Sequence, residues 1–327
     1  MKYCLGIDIG GTKCAVLLGS STIDENKDKV IIHKEVFATD IYKGPDYTID
    51  RICRKIDKIL LEREVSTDDI AKIGICCGGP LNSKTGVIMN PPNLYGWDNI
   101  SVSGILNKRY GIQVKLENDA NACAVAEWKF GAAKGYQNII FLTFGTGLGA
   151  GIILNGKLYS GTNNMAGEVG HIRLSTFGPV GYGKAGSLEG FCSGSGTAQL
   201  ARIKVLEKLQ LGERPEICSD ISKLGSITAK RVAEAADNGD PLAKEIFALS
   251  GEYLGKGLSI IIDMLNPEII VIGSIFQRCR HLLWPFAQEV IEKESLKLSR
   301  SVCKIVPSEL GDDIGNYAAL SLAMLKD

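Results

Sequence analysis

The sequence of 327 residues has little histidine, three in all, so a metal centre built from several imidazoles is not expected. It has no surplus of charge: Lys+Arg and Asp+Glu both number 37. That balance favours neither nucleic acid nor an anionic membrane surface as a partner. No apolar stretch reaches the ~18 residues that span a bilayer. The N-terminus runs straight into a strand pattern, without a basic segment and apolar run of the secretory kind. No CxxC pair, low-complexity tract or linker occurs. The ten cysteines (Cys4, Cys14, Cys53, Cys76, Cys77, Cys123, Cys192, Cys218, Cys279, Cys303) are scattered through apolar segments. They read as buried thiols of a reducing compartment, with the vicinal Cys76-Cys77 as strand core. The expectation is a cytoplasmic globular protein with room for two domains.

What the sequence does have is one glycine-turn hairpin, twice. The first copy runs Leu5-Gly6-Ile7-Asp8-Ile9-Gly10-Gly11-Thr12-Lys13-Cys14-Ala15-Val16. The second runs Ile140-Phe141-Leu142-Thr143-Phe144-Gly145-Thr146-Gly147-Leu148-Gly149-Ala150-Gly151-Ile152. Each is an apolar strand, a turn of Gly and Thr, and a second apolar strand. Glycines in such turns permit positive φ and let a bulky ligand approach backbone amides. One turn alone reads equally well as an ordinary tight hairpin. Two, one per half of the chain, suggest a polyphosphate gripped from both sides, as in an ATP-using enzyme. In the first, Asp8 is suited to Mg²⁺, directly or through water, and Lys13 to phosphate.

Around these hairpins the chain alternates strands and helices, the pattern of layered α/β domains. A strand is expected at Val30–Phe37, a helix from Tyr47 to Glu64, a buried strand at Ala71–Cys77, a helix at Val102–Tyr110 and a strand at Gln113–Glu117. A helix at Ala120–Phe130 leads into the second hairpin. Gly156 to Gly196 is a long glycine-rich excursion, and such loops are usually functional. Helices then dominate, interrupted by a last buried parallel strand at Ile269–Gly273, and a helix from Asn316 to Lys326 closes the chain. Gly151 to Lys157 and Gly178 to Lys184 match GxxxxGK but continue with Leu158 and Ala185, so the Ser/Thr of a P-loop is missing and both are rejected.

Two polar clusters carry the chemistry. Glu117-Asn118-Asp119-Ala120-Asn121 joins a strand end to a helix start. Asp119 there reads either as the helix N-cap or as a carboxylate able to take a proton from an attacking hydroxyl. Glu168, His171 and Glu189 supply fixed acceptors and donors suited to a polyol; the alternative is a set of solvated loop charges.

With these motifs the chain resembles the ROK family (repressors, open reading frames and kinases), and its sugar kinases in particular, over essentially its whole length. The matching segments are Asp8 to Lys13, Gly78-Gly79-Pro80, Glu117 to Asn121, Gly145 to Gly151, Ala166 to His171, Glu189 to Gly194 and Leu265-Asn266-Pro267-Glu268. The resemblance implies an α/β fold of two actin/hexokinase-like (ribonuclease-H-like) domains around a hinged cleft. The first would span residues 1–118 and be completed by a C-terminal helix at about 312–327; the second would span 119–311. It implies Asp119 as catalytic base and Gly79, Asn118, Glu168, His171 and Glu189 at the sugar. Asp8, Gly10, Gly11, Thr12, Lys13, Gly145, Thr146 and Gly147 would hold ATP phosphates, with Mg²⁺ arriving with ATP, and Gly273 would lie by the nucleoside. A homodimer is plausible on the same ground.

The chain departs from the family twice. Where members commonly carry a zinc site of one His and three Cys in a CxCGxxGCxE pattern, this chain reads Val180-Gly181-Tyr182-Gly183-Lys184-Ala185-Gly186-Ser187-Leu188-Glu189. Val, Tyr and Ser cannot replace three thiolates at Zn²⁺, so no structural zinc is expected. Gly273-Ser274-Ile275 stands where the family often shows a run of glycines. The resemblance thus implies an ATP-dependent hexose kinase acting on the primary hydroxyl of an aldohexose or N-acylhexosamine, with glucose and N-acetylmannosamine ranked first. The rivals are a sugar-sensing regulator and a non-catalytic sugar-binding protein. A regulator is expected to carry a helix-turn-helix before the first glycine turn, and a non-catalytic protein to have lost Asp119 or a turn.

Overall fold

The computed structural model describes residues 2–21 and 30–325. The first half begins with β1 (Tyr3–Ile9) and β2 (Lys13–Ser20), paired antiparallel from Tyr3↔Ser20 to Ile9↔Cys14. β3 (Ile31–Ala38) pairs antiparallel on β2 and is only half-buried, as suits a sheet edge. Helix α1 (Gly44–Glu62) buries Ile49, Ile52, Cys53, Ile56, Ile59 and Leu60 on one face. It starts before the expected Tyr47 because Pro45 sits in the first turn, where a missing N–H is harmless. β4 (Ile70–Cys77) joins β1 in parallel; β5 (Leu81–Asn82) and β6 (Val87–Ile88) form a small separate hairpin. Helix α2 (Val102–Tyr110) stops at Gly111, whose φ of 72° ends the helix, and β7 (Val114–Asn118) completes a sheet ordered β3-β2-β1-β4-β7.

Helix α3 (Asp119–Phe130) leads to the second half. There β8 (Ile139–Phe144), β9 (Leu148–Leu154) and β10 (Lys157–Leu158) form the antiparallel part of a second sheet. The glycine-rich excursion holds one small hairpin, β11 (Val180–Gly181) with β12 (Lys184–Ala185), and a short helix α4 (Leu188–Cys192). Helices α5 (Gly194–Gln210), α6 (Ala229–Asp237) and α7 (Pro241–Leu265) follow. β13 (Ile269–Ile272) is not the last strand, because after α8 (Ile275–Glu294) and α9 (Lys297–Val302) comes β14 (Lys304–Pro307). The closing helix α10 covers Ile314–Ala323, two residues ahead of the expected start; Lys326 lies outside the described residues.

The second sheet is ordered β10-β9-β8-β13-β14, with β13 parallel to both β8 and β14. Its pattern of order and direction is that of the first sheet. The repeated hairpin is therefore the visible part of a duplicated five-stranded sheet.

Between the sheets lie α3 and α10. One apolar cluster joins Cys4, Leu17 and Cys76 of the first sheet to Phe141, Ile153 and Val271 of the second, through Ala122 and Ala126 of α3 and Ala318 and Leu320 of α10. The helices approach the strands so closely that glycine is obligatory beneath them. A Cβ at Gly74 would lie 2.2 Å from Ala319 O, and one at Gly151 2.3 Å from Ala120 O. Among the described residues no helix is long and apolar enough to cross a membrane.

Gly74→Ala forces β4 and α10 apart and is expected to destabilise the protein by about 3 kcal/mol, the upper range for overpacking. A denaturant midpoint equal to that of the wild type would contradict this close packing.

Candidate functional site

Both glycine turns sit at strand ends and are braced by their surroundings. In the first, Gly10 N–H donates to Lys13 O at 3.1 Å, Thr39 Oγ1 donates to Gly10 O at 2.6 Å and Thr39 N–H to Thr12 O at 2.9 Å. In the second, Gly145 N–H donates to Gly147 O at 3.1 Å. The start of α5 holds its carbonyls: Gly194 N–H reaches Gly145 O at 2.8 Å and Ser195 Oγ reaches Thr146 O at 2.7 Å. The N–H groups of Gly11, Thr12, Thr146 and Gly147 make no hydrogen bond to the described residues. Each turn thus spends its carbonyls on the scaffold and keeps amide donors for a ligand, which fits phosphate. Thr39 and Ser195 were not singled out from the sequence; the Ser193-Gly194-Ser195 helix start was the available signal for the second.

Of the two reasons expected for glycine in these turns, positive φ does not hold. None of Gly10, Gly11, Gly145 and Gly147 has positive φ. At Gly11 a Cβ would strike Asn93 O at 2.6 Å, and at Gly147 it would lie 2.9 Å from the Glu189 carboxylate. At Gly145 it would meet no protein atom within 4 Å. What Gly145 keeps clear is open space, where a ligand could come against the backbone.

At the start of α3 the structure separates the two readings of Asp119. The N-cap is Asn118, whose Oδ1 accepts from Asn121 N–H at 2.7 Å. Asp119 is the first helical residue, and its Oδ1 accepts from Ala120 N–H at 2.8 Å. Solvent reaches its side chain while protein crowds it on the other sides, and this desolvation raises its pKa. Glu117 behind it is buried and bonded to Asn118 N–H and Asn121 Nδ2, and burial raises its pKa too.

Asp8, near the end of β1, is half-buried. Desolvation first, then the charge of Asp119, push its pKa up to about 6, against the lowering pull of Lys13 and Lys34. The first turn of α10 meets it: a Cβ at Gly315 would be 3.1 Å from Asp8 Oδ2. A half-buried carboxylate with a raised pKa is a fitting oxygen ligand for a hard cation.

Glu168 and His171 bracket a single 3₁₀ turn, Val169–His171, pressed onto β9. Its glycines are there for contact: a Cβ at Gly167 (φ 92°) would be 2.0 Å from Ala150 O, and one at Gly170 2.1 Å from Leu148 O. Desolvation raises the pKa of Glu168; His171 lowers it, while Glu189 and Asp119 raise it further. Glu189 Oε2 accepts from Leu148 N–H at 2.9 Å, so it also fixes the second glycine turn, a role the sequence did not suggest.

The loop that departs from the zinc pattern has other supports. Gln199 clamps Val180, taking its N–H at 3.1 Å and giving Nε2–H to its carbonyl at 2.9 Å. Tyr182 stands edge-on to His171 with ring centroids 5.6 Å apart, and Lys184 Nζ donates to His171 O at 2.7 Å. Ser187 caps α4 through Gly190 N–H. Gly79 is exposed at the end of β4, and Gly273 is buried against Phe141 at the end of β13. Ser274 holds φ 49°, a left-handed backbone that favours glycine. A hollow of about 490 Å³ beside β7 is lined by Ser83, Lys115, Glu117 and Asn164, among others, but not by Asp119.

Because the folded state keeps a proton on Asp8 that the unfolded chain releases, stability falls as pH rises from about 4 to about 6. Asp8→Asn removes this penalty. At pH 7 the variant is expected to be more stable than the wild type by about 1–3 kcal/mol, with the gain fading by pH 4. Urea titrations at the two pH values check this; an unchanged or reduced stability at pH 7 would contradict it.

Comparison with known proteins accords with this geometry. The family model described as the ROK family matches residues 4–326. A glucokinase of Halalkalibacterium halodurans is 32% identical over 318 residues, covering 96% of this chain and 92% of that protein. The xylose repressor of Bacillus subtilis is 28% identical, covering 99% of this chain and 76% of the repressor. Among solved structures, a ROK family glucokinase from Streptomyces griseus in complex with glucose and AMPPNP superposes with a TM-score of 0.73 at 27% identity, covering 98% of each chain. The two-sheet α/β architecture is that of ROK hexokinase-like structures. On a family match across nearly the whole sequence, this chain belongs to the ROK family.

Proposed function

We propose that the protein is an ATP-dependent hexose kinase that transfers the γ-phosphate of ATP to the 6-hydroxyl of an aldohexose or N-acylhexosamine, with glucose and N-acetylmannosamine as the first candidates. The observation that carries this reading is Asp119: relieved of capping by Asn118, reached by solvent, and set at the head of the helix that links two sheets, each with a turn offering unbonded N–H groups. The glucokinase relatives support the same reading.

In this proposal the halves are residues 1–118 with the C-terminal helix and residues 119–311, with the substrates between them. Asn118, Glu168, His171 and Glu189, with Gly79, bind and orient the sugar. The turns at Gly10–Lys13 and Gly145–Gly147 bind the phosphates, and Gly273 lies toward the nucleoside. Asp119 takes the proton of the sugar hydroxyl as its oxygen bonds to the γ-phosphorus and the bond to the departing ADP oxygen breaks. Mg²⁺, bound with ATP, supplies neutralisation of phosphate charge, and Asp8 would hold it directly or through water. The loop without zinc ligands supports the sugar side of the pocket and leans the choice toward N-acetylmannosamine. Family likeness also suggests a cytoplasmic homodimer. The second reading, a sugar-sensing regulator without turnover, is favoured by the xylose repressor relative.

A coupled assay of ADP release with Mg·ATP across glucose, mannose, fructose, allose, N-acetylglucosamine and N-acetylmannosamine separates the two. Turnover on one sugar is expected; silence on all six with sugar binding intact favours the regulator. Asp119→Asn should retain sugar affinity and lose at least about 100-fold in kcat, the scale of a lost general base. Wild-type turnover in that variant would leave Asp119 no catalytic part. Gly145→Ala, which meets no protein atom, should leave stability within about 0.5 kcal/mol of the wild type and raise KM for ATP about tenfold, with the sugar KM unchanged. A rise in the sugar KM alone would contradict the phosphate assignment.

A further inference from the structure

Glu127 is a carboxylate for which the proposed reaction has no use, and it is 0% exposed. It lies on α3, two helical turns or about 12 Å along from Asp119. Its Oε1 accepts from Ser308 Oγ at 2.5 Å and from Leu310 N–H at 3.0 Å. Its Oε2 accepts from Ala132 N–H at 2.8 Å and from Glu309 N–H at 3.4 Å. All four donors are neutral. Gly131 makes room for this arrangement, since a Cβ there would be 2.0 Å from Oε2.

The position of these donors in the topology gives the contact its meaning. The chain passes from the first sheet to the second through α3, between β7 and β8. It returns through Ser308–Asp313, between β14 and α10, and α10 packs on the first sheet. Glu127 therefore bonds one crossing to the other at a buried point. It ties α3 to the segment that leads into α10, and the heads of these two helices meet the two acidic groups of the site: Asp119 is the first residue of α3, and Gly315 of α10 abuts Asp8.

We infer that Glu127 is a positioning residue, which fastens the two crossings together and so holds the head of α3, with Asp119, in register with the head of α10 beside Asp8. The inference rests on the kinase reading above. A carboxylate suits the task because it can accept several bonds from backbone and hydroxyl donors at once. Glutamine offers one acceptor oxygen, and its NH₂ would face N–H groups that also donate.

The test is steady-state kinetics of Glu127→Gln, Ser308→Ala and the double variant, with folding checked by circular dichroism. Small misplacements of catalytic groups cost up to about 100-fold in rate. Glu127→Gln is expected to lower kcat about tenfold or more with both KM values within about threefold, and Ser308→Ala to lower it about threefold. The double variant should be no slower than Glu127→Gln, since both changes break one contact. A folded Glu127→Gln with kcat within about twofold of the wild type, or losses that multiply in the double variant, would overturn the inference. If Glu127→Gln does not fold, Ser308→Ala decides: reduced kcat at unchanged KM supports it, and wild-type kcat overturns it. Absence of turnover in the wild type itself would instead overturn the kinase reading.

Discussion

The structure depends on the close packing of two helices, α3 and α10, between two sheets. Burial of apolar surface drives that packing, and small residues permit it: glycines on the strands, alanines on the helices. The same contact sets the site. Each helix begins where a sheet ends, so the head of α3 delivers Asp119 and the head of α10 reaches Asp8. Charge chemistry is placed by apolar packing, with the polar groups at the helix heads and strand ends where backbone donors are left over.

Much of this was legible in the sequence. The paired hairpins were visible as apolar runs broken by Gly and Thr, and they led to a duplicated sheet whose strand order repeats in full. Asp119, Glu168, His171 and Glu189 are legible as polar residues at turns and helix starts, and in the structure the other three act electrostatically on Glu168. Other features depended on contacts between distant segments. The four residues of β14 carry no clear alternation, and only pairing with β13 makes them a strand. The role of Glu189 on the second glycine turn, and the need for glycine at Gly147, both follow from packing between segments far apart in sequence. The assignment of the cap to Asn118 rather than Asp119 turned on a single residue of helix register, finer than periodicity resolves.

The loop at Val180–Ser187 is held by contacts within the chain. Where the family pattern has thiolates, this chain uses a side-chain amide on the backbone, a serine cap and an aromatic edge against His171. His171 is thereby held by its carbonyl and its ring face.

On the kinase reading, a phosphoryl group moves from ATP to a sugar on this scaffold. Phosphorus NMR of the wild-type protein with Mg·ATP and a responsive hexose tests it most directly. The γ-phosphate signal is expected to be replaced by a phosphomonoester coupled to two protons, as at a primary carbon, in step with ADP. Formation of ADP with inorganic phosphate alone, or an ATP spectrum unchanged by any bound hexose, would contradict it.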